Sequence, residues 1–484
     1  GGGGGGGGHM RTRRAALLPL TLLLPAAVVT AAALVAAAPA PADSQESMTS
    51  WTADVQLINA FLVFFLQIGF VSLETGYSRA KNVKNILLKN IVNVLLCTLC
   101  WWSVGYAIAT GNSAHGFMGG TAQGSLFFVQ DIVMGNKSWL FTFTFALATT
   151  SVVSGCLAER TNLMTYPLVA ILMTMWIHPV VAFWVWHPDS WLYGVSQCKF
   201  LDFAGGTVVH VIGGTAGLVG AWLCGPRLGR FEEGRAKAMP GHNVSQVAIG
   251  TIFMWFGWFG FNCGSVYSTP SGMEHTLIGS GQTADRIALC MCLSGAGGGL
   301  TCLLVTSVLA GTFDVCLMCN GILAGLVAAT STCGLVPPWA ALVAGVVAGA
   351  GYLGMSRSML YFQIDDPLDS ASIHLGAGAL GTLLNGFFAK PEYVEMFQGQ
   401  PTACGGVAFT TERGGLQIGM QLLGMVVCLA WSATFSLALL LPLKLTGRLR
   451  VDQTTELAGI DNVEHGGPAY PEFSIVCSPD GQEA

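Results

Sequence analysis

Leu201-Asp202-Phe203-Ala204-Gly205-Gly206-Thr207-Val208-Val209-His210, with Gly214 and Gly217 beyond it, returns later in the chain as Asp365-Asp366-Pro367-Leu368-Asp369-Ser370-Ala371-Ser372-Ile373-His374, with Gly378 and Gly381 beyond. In each copy an Asp precedes the His by eight residues, and Gly follows the His at +4 and +7. Read as helix, eight residues rise about 12 Å in just over two turns, so Asp and His share a face. Both copies lie in apolar surroundings, where an ionisable residue is a functional candidate by default. A lone His there is most simply a satisfied core residue, whereas two at equivalent places in a repeat point to a joint role. The residues leave three readings open: a paired role along a pore, structural hydrogen bonding, or a two-histidine metal site, for which no third ligand of suitable type lies nearby. Asp202 could bind a cation directly, or cap a helix N-terminus where Gly205 and Gly206 leave backbone N–H groups open.

Composition sets the environment of this repeat. Of 484 residues, 52% are hydrophobic and 10% are charged, and the mean hydropathy is +0.59. A soluble chain of this size carries about 25% charged residues and could not cover its surface with so few; the same figures exclude disorder. A net charge of −5 with no large basic patch excludes a nucleic-acid surface. The expectation is an all-α polytopic membrane protein. Most of the fifteen Cys lie in apolar stretches as small packers. Cys290/Cys292 and Cys316/Cys319 lack a second ligand pair for zinc, while Cys198 and Cys404 fall in predicted outer loops, where they could be oxidised.

Residues 1–10, eight Gly and His9-Met10, read as an appended tag. Residues 11–42 read as a signal peptide: Arg11, Arg13 and Arg14, an apolar run, then Ala40-Pro41-Ala42 as a cleavage site. An uncleaved extra helix and an organelle transit segment are the alternatives. Eleven apolar segments of spanning length follow, at 54–76, 84–110, 138–158, 164–186, 202–224, 244–266, 284–311, 313–334, 337–356, 370–389 and 415–443. They define a transmembrane domain over 50–444, followed by a tail at 445–484. With the mature N-terminus outside, inner loops and span ends hold twelve basic residues: Arg79, Lys81, Lys84, Arg160, Arg227, Arg230, Arg235, Lys237, Arg357, Lys444, Arg448 and Arg450. Outer ones hold five: Lys137, Lys199, Arg286, Lys390 and Arg413. That asymmetry places the tail inside. The sequon Asn136-Lys137-Ser138 falls in a predicted outer loop, which agrees. Segments 5 and 10 are an odd number apart and so face opposite ways, which suggests two inverted five-helix repeats plus one extra helix. Such repeats place a substrate path at their interface.

At these residues the chain resembles the Amt/Mep/Rh family of ammonium transporters, within its Amt branch. The resemblance rests on Gly69-Phe-Val-Ser-Leu-Glu-Thr-Gly-Tyr-Ser-Arg-Ala-Lys-Asn82, Val153-Ser-Gly-Cys-Leu-Ala-Glu-Arg160, Asp202 to His210, Phe256-Gly-Trp-Phe-Gly-Phe-Asn-Cys-Gly-Ser265, His374, and Glu464-His-Gly-Gly-Pro-Ala-Tyr470. It covers roughly 50–470 and implies eleven spans, a homotrimer and one pore per subunit. It also implies an outer recruitment site for ammonium at Phe145, Trp186 and Ser265, supported by Asp202. Phe145 with Phe261 would form the gate below, and His210 and His374 the twin histidines of the pore. Trp184, two residues before Trp186, is the rival position in that site.

The chemistry suits these side chains. An aromatic face attracts a cation by about 0.5–2 kcal/mol, and a hydroxyl accepts one N–H. Neither carries full charge, so binding stays weak enough for release. Neutral imidazole offers one donor and one acceptor to a molecule and a proton that pass separately. The resemblance therefore implies a transporter of ammonium, and of methylammonium, rather than an enzyme. It sits in the plasma membrane among lipids, needs no cofactor or metal, and offers its tail to a cytoplasmic regulator. An ammonium sensor or transceptor with little flux is the alternative. A gas or methylamine channel of the Rh type is a second, against which Trp186 and Ser265 argue. Plant members often carry a phosphorylatable Thr near Gly-x-Asp in the tail; here Val463 stands at that place. Both pore histidines are present, unlike the fungal variant with an acidic residue at the first place.

Overall fold

The computed structural model describes residues 45–121, 127–129, 139–268, 277–398 and 403–471. The tag, the signal segment at 11–42, the sequon at 136–138 and the end of the tail lie outside them. The chain divides into two compact units, 1–50 and 51–484. In the first only helical backbone over 45–50 is described, and the fold below belongs to the second.

The chain is a multi-pass helical protein, as its composition requires. Ten helices among the described residues are long and apolar enough to cross a membrane. They are α1 (Asp54–Tyr77), α2 (Ala80–Thr110), α3 (Trp139–Leu157), α4 (Thr165–Gly194), α5 (Gly206–Cys224), α6 (Val244–Tyr267), α7 (Thr283–Ala310), α8 (Val315–Thr332), α9 (Pro338–Tyr361) and, last in sequence, Gly414–Leu445. The tenth predicted segment, 370–389, is shorter than expected. A π-helical turn of 6 residues, Ser372–Ala377, runs into an α-helix of 11, Gly378–Phe388 (α10). Both ends have a cause. Pro367 and the left-handed Asp369 (φ 55°) delay its start. Pro391 disfavours helix just before it, and Ala389 is extended. Gly414–Leu445 is accordingly α11. The loop between α5 and α6 carries a hairpin of two-residue strands, Phe231–Glu232 with Arg235–Ala236, turned by Glu233 (φ 49°) and Gly234 (φ 77°).

Glycine decides how the two repeat copies meet. A Cβ on Gly214 would lie 2.5 Å from the backbone N of Leu375, and one on Gly378 would lie 2.9 Å from the carbonyl of Gly206. Each copy therefore places a glycine of its +4 position against the other copy's histidine-bearing turn. The crossing of α5 and α10 is closer than any side chain would permit.

The tail turns back onto the loops at one end of the bundle. It forms α12 (Gln453–Ala458) and α13 (Ile460–Glu464). Asp461 accepts from the backbone N–H groups of Lys84 (2.8 Å) and Asn85 (2.9 Å) in the first α-helical turn of α2. Lys81 Nζ donates to the carbonyls of Glu456 (2.8 Å) and Leu457 (2.7 Å). Beside the tail lies an ion network. Glu159 lies 2.8 Å from both Arg79 and Arg227, and Arg227 in turn lies 2.8 Å from Asp365. Burial alone would push both carboxyls up; the arginines outweigh it and hold Glu159 and Asp365 below the usual carboxylate range.

Candidate functional site

Asp202 lies before its helix rather than in it. Gly205 takes φ +106°, and the helix begins at Gly206 as a π-helical turn, Gly206–Val211. The eight-residue helical rise inferred from the sequence therefore does not apply between Asp202 and His210. Asp202 Oδ1 instead accepts from Gly205 N (3.1 Å), Gly206 N (2.7 Å) and Ser331 Oγ (3.1 Å). Oδ2 accepts from Thr207 N (2.8 Å) and Val208 N (3.0 Å). The carboxylate caps the turn that bears His210. In the second copy Asp366 Oδ2 accepts from Ala371 N at 2.7 Å, just ahead of the π turn that bears His374. Single π-helical turns are frequent at functional sites because they re-aim side chains without ending the helix.

The two histidines meet. Their rings stack at 5.1 Å with an interplanar angle of 12°, and Nδ1 faces Nδ1 at 3.1 Å. One of the two nitrogens donates and the other accepts. His210 Nε2 is buried without a partner, an unfilled hydrogen-bonding position in the core. Among the described residues no three His, Cys, Asp or Glu gather as a metal ion would need.

Aromatic rings continue the column from His210. Phe261 stands 6.1 Å from it, and Phe145 stacks on Phe261 at 3.9 Å and 17°. Trp186 meets Phe145 edge-on at 5.9 Å and 78°, with its Nε1 donating to the Asp202 carbonyl at 2.9 Å. Ser265, one turn beyond Phe261 on α6, donates its hydroxyl to the Phe261 carbonyl at 2.8 Å. Trp184 faces elsewhere. It is buried against Phe117 and Trp431 and donates to the Phe117 carbonyl at 2.7 Å. The order Trp186, Phe145, Phe261, His210, His374 is a single file of rings.

A file of this kind on this fold has relatives. The sequence profile of the Ammonium Transporter Family matches residues 55–470. The chain belongs to that family. Ammonium transporter 3 of Dictyostelium discoideum is 37% identical over 432 residues, which are 87% of this chain and 94% of that one. Among solved structures, one titled "Sensor Amt Protein" aligns with a TM-score of 0.76 at 29% identity, over 87% of this chain and all of its own. Mep2 of Saccharomyces cerevisiae aligns with a TM-score of 0.72 at 30% identity, over 83% and 88%. The family is one of transporters, and its substrate is ammonium.

Two features escaped sequence reasoning, one in the column and one outside it. Trp258 stacks on His210 at 5.5 Å and 28°, fixed by its Nε1 donating to Thr330 Oγ1 at 2.9 Å. It lies three residues before Phe261, on the same helical face, which was the available signal. Cys198 and Cys404 are joined in a disulfide, with Cα atoms 5.5 Å apart. It ties the segment leading into Asp202 to the one leading into α11, and sequence gave both residues an outer-loop position without pairing them.

Proposed function

We propose that this family member carries ammonium across a membrane through the ring file, recruiting the cation at Trp186, Phe145 and Ser265 and passing it between His210 and His374. The observation that carries the reading is the buried, unpartnered Nε2 of His210 within a continuous column of rings. An intact cation entering such a file loses its hydration, at a cost of many kcal/mol. The ring faces return only about 0.5–2 kcal/mol of that. The stacked Phe145 and Phe261 leave no room for a hydrated ion. The cheaper route is to pass the neutral molecule and the proton separately, with neutral ammonia moving between the imidazoles. Potassium has no proton to part with and is rejected. Asp202 acts on this site through the π turn it caps, and the paired Phe145 and Phe261 are the gate.

The same reading assigns 1–10 as tag, 11–42 as signal peptide, 50–444 as transport domain and 445–484 as tail. It places the N-terminus outside and the tail inside a plasma membrane, in a homotrimer. The disulfide supports that orientation, since such bonds persist on the oxidising side. The docked tail gives a cytoplasmic regulator a surface to act on. His210→Ala or His374→Ala should cut ammonium current at least tenfold in solid-supported membranes while assembly is kept. Wild-type current and selectivity in both variants would make the histidines structural. A sensor with little flux is favoured by one observation, the likeness to the sensor-titled structure. Vesicles that bind ammonium but pass less current than a transporting relative would decide for it.

A further inference from the structure

A carboxamide buried among membrane helices gives up its hydration, and only hydrogen bonds return the loss. Two such amides, Gln421 on α11 and Asn385 on α10, are fully buried and converge on one residue, Leu201. Gln421 Oε1 accepts from Leu201 N at 2.8 Å, and its Nε2 donates to the Leu201 carbonyl at 2.8 Å. The side chain pairs with the main chain of Leu201 as a residue of a neighbouring β-strand would. Its two remaining positions are filled as well, by Gln417 Nε2 (3.1 Å) and by the Thr382 carbonyl (2.8 Å). Asn385 Nδ2 gives one hydrogen to the Leu201 carbonyl and one to the Ser331 carbonyl, each at 3.0 Å. Its Oδ1 is buried with no partner among the described residues. A side chain that leaves its acceptor bare is held there for its donors, since Leu would fill the same space without that penalty.

The residues that follow Leu201 are the seat of Trp186. The Asp202 carbonyl accepts from the indole Nε1 at 2.9 Å. Gly205, at φ +106°, leaves the ring its room, since a Cβ there would stand 3.3 Å from Trp186 Cη2. The Asp202–Phe203 peptide that receives the indole is held from its other side. Phe203 N donates at 3.2 Å to the same Ser331 carbonyl that Asn385 holds. Upstream, Cys198 ties the segment to Cys404, and Gln417 Nε2 donates to the Lys199 carbonyl at 2.9 Å. The peptide that orients the indole is thus fixed through Leu201 by two side chains that do not belong to the ring file.

We propose that Gln421 and Asn385 are positioning residues for ammonium recruitment: by gripping Leu201 they set the angle at which the Trp186 ring meets the entering cation. The proposal rests on the reading that Trp186 recruits ammonium. A cation is drawn to the negative face of an aromatic ring and not to its positive edge, so the angle of the ring decides the attraction. A ring that hangs from one carbonyl and lies against one glycine turns when either shifts. The carboxylate of Asp202 holds the π turn of His210 independently of Leu201, so loss of the clasp acts on the entrance and not on the pore histidine. Helix α11 lies outside the two repeats, and its grip on Leu201 gives that added helix a task at the entrance.

Gln421→Met and Asn385→Leu replace each amide by an apolar side chain of similar size. The half-saturating ammonium concentration and the maximal current per folded protein are read on solid-supported membranes, in the wild-type background and in Trp186→Leu. Each variant is expected to raise the half-saturating concentration at least about twofold, and by no more than Trp186→Leu does, with maximal current kept within about twofold. Combined with Trp186→Leu, neither should raise it further, because residues that act through one ring do not add. Asn385→Leu leaves Gln421 on Leu201, and it carries the same expectation should Gln421→Met not fold. Factors that multiply in the combined variants overturn the proposal, since the amides would then act independently of Trp186. A loss of maximal current at an unchanged half-saturating concentration overturns it too, because the clasp would then only hold the bundle together. Wild-type values in both variants, with Trp186→Leu weakened, overturn the clasp and leave the recruitment reading standing. An unchanged half-saturating concentration in Trp186→Leu overturns that reading and the proposal with it.

Discussion

Asp202→Asn separates a cap from a cation ligand. The carboxylate receives five donors, three on Oδ1 and two on Oδ2. Its two oxygens offer about four lone-pair sites, so none is left for ammonium. Asn keeps one acceptor oxygen and turns the other into an NH2 that faces N–H donors. Whichever way it points, at least two charge-assisted hydrogen bonds are lost, at about 1.5–3 kcal/mol each. Relief from burying a charge returns part of this, which leaves a net cost of roughly 2–4 kcal/mol. Because the lost contacts anchor Gly205 to Val208, the damage falls on the turn that carries His210. The variant should unfold at lower SDS fraction or temperature in detergent. Flux per folded protein should fall, and the ammonium concentration for half-maximal current should stay within about twofold. Ser331→Ala removes a single donor and should cost about 1 kcal/mol in the same assay. Wild-type unfolding of Asp202→Asn, with only a raised half-saturation concentration, would show that Asp202 touches the cation.

Trp186→Leu keeps an apolar side chain and removes the ring quadrupole, so apparent ammonium affinity should weaken about 2- to 30-fold in concentration-dependent currents. Trp184→Leu should leave affinity unchanged and lower thermal stability, since its ring packs against Trp431 and Phe117; the opposite pattern would put the site at Trp184. Ser265→Ala should act in the direction of Trp186→Leu, more weakly, by the loss of one acceptor. The depressed carboxyls of Glu159 and Asp365 give a pH signature. Their stabilisation is complete above the unfolded carboxyl values of about 4 and is lost as pH falls through the lower folded values, so detergent unfolding should turn steeply pH-dependent only below about pH 4. Arg227→Met should weaken that dependence, and an unchanged acid limb would show that the network stores no such energy.

The fold was legible where composition and spacing carry it. Charge scarcity gave the membrane class, and the placement of the spans follows the apolar runs to within about five residues, except that the fourth runs on past 186 to Gly194. The Asp, His and glycine spacing of the two copies was legible too, because a glycine at +4 exposes backbone to backbone and has few other uses in a span. The π-helical turns were not, since a six-residue deviation from helical periodicity leaves no mark in segments with no regular alternation of polar and apolar residues. For the same reason Asp202 was read into a helix that Gly205 in fact delays. Trp186 could be told from Trp184 only by packing, as both are apolar rings at one helix end. Glu74 and Lys89 were visible as charges of opposite sign in consecutive apolar segments, a pairing signal the motif around Glu74 concealed.

The site residues fall into two groups that do different physical work. On the function proposed above, the ring file provides weak attraction and a dry passage, and a dry passage is what makes a charged solute costly and a neutral one cheap. It cannot by itself dispose of a proton. Beside the file, Glu74 of α1 lines a cavity together with His374 and pairs with Lys89 of α2. If the phenyl pair is the gate, widening it should raise the leak of hydrated ions. Phe145→Ala opens the 3.9 Å stack and leaves Glu74 untouched, so potassium current should appear beside ammonium current in the same membrane. If Phe145→Ala stays silent to potassium at ammonium-saturating concentrations, exclusion resides in the histidines or deeper, and the phenyl pair is packing rather than a gate.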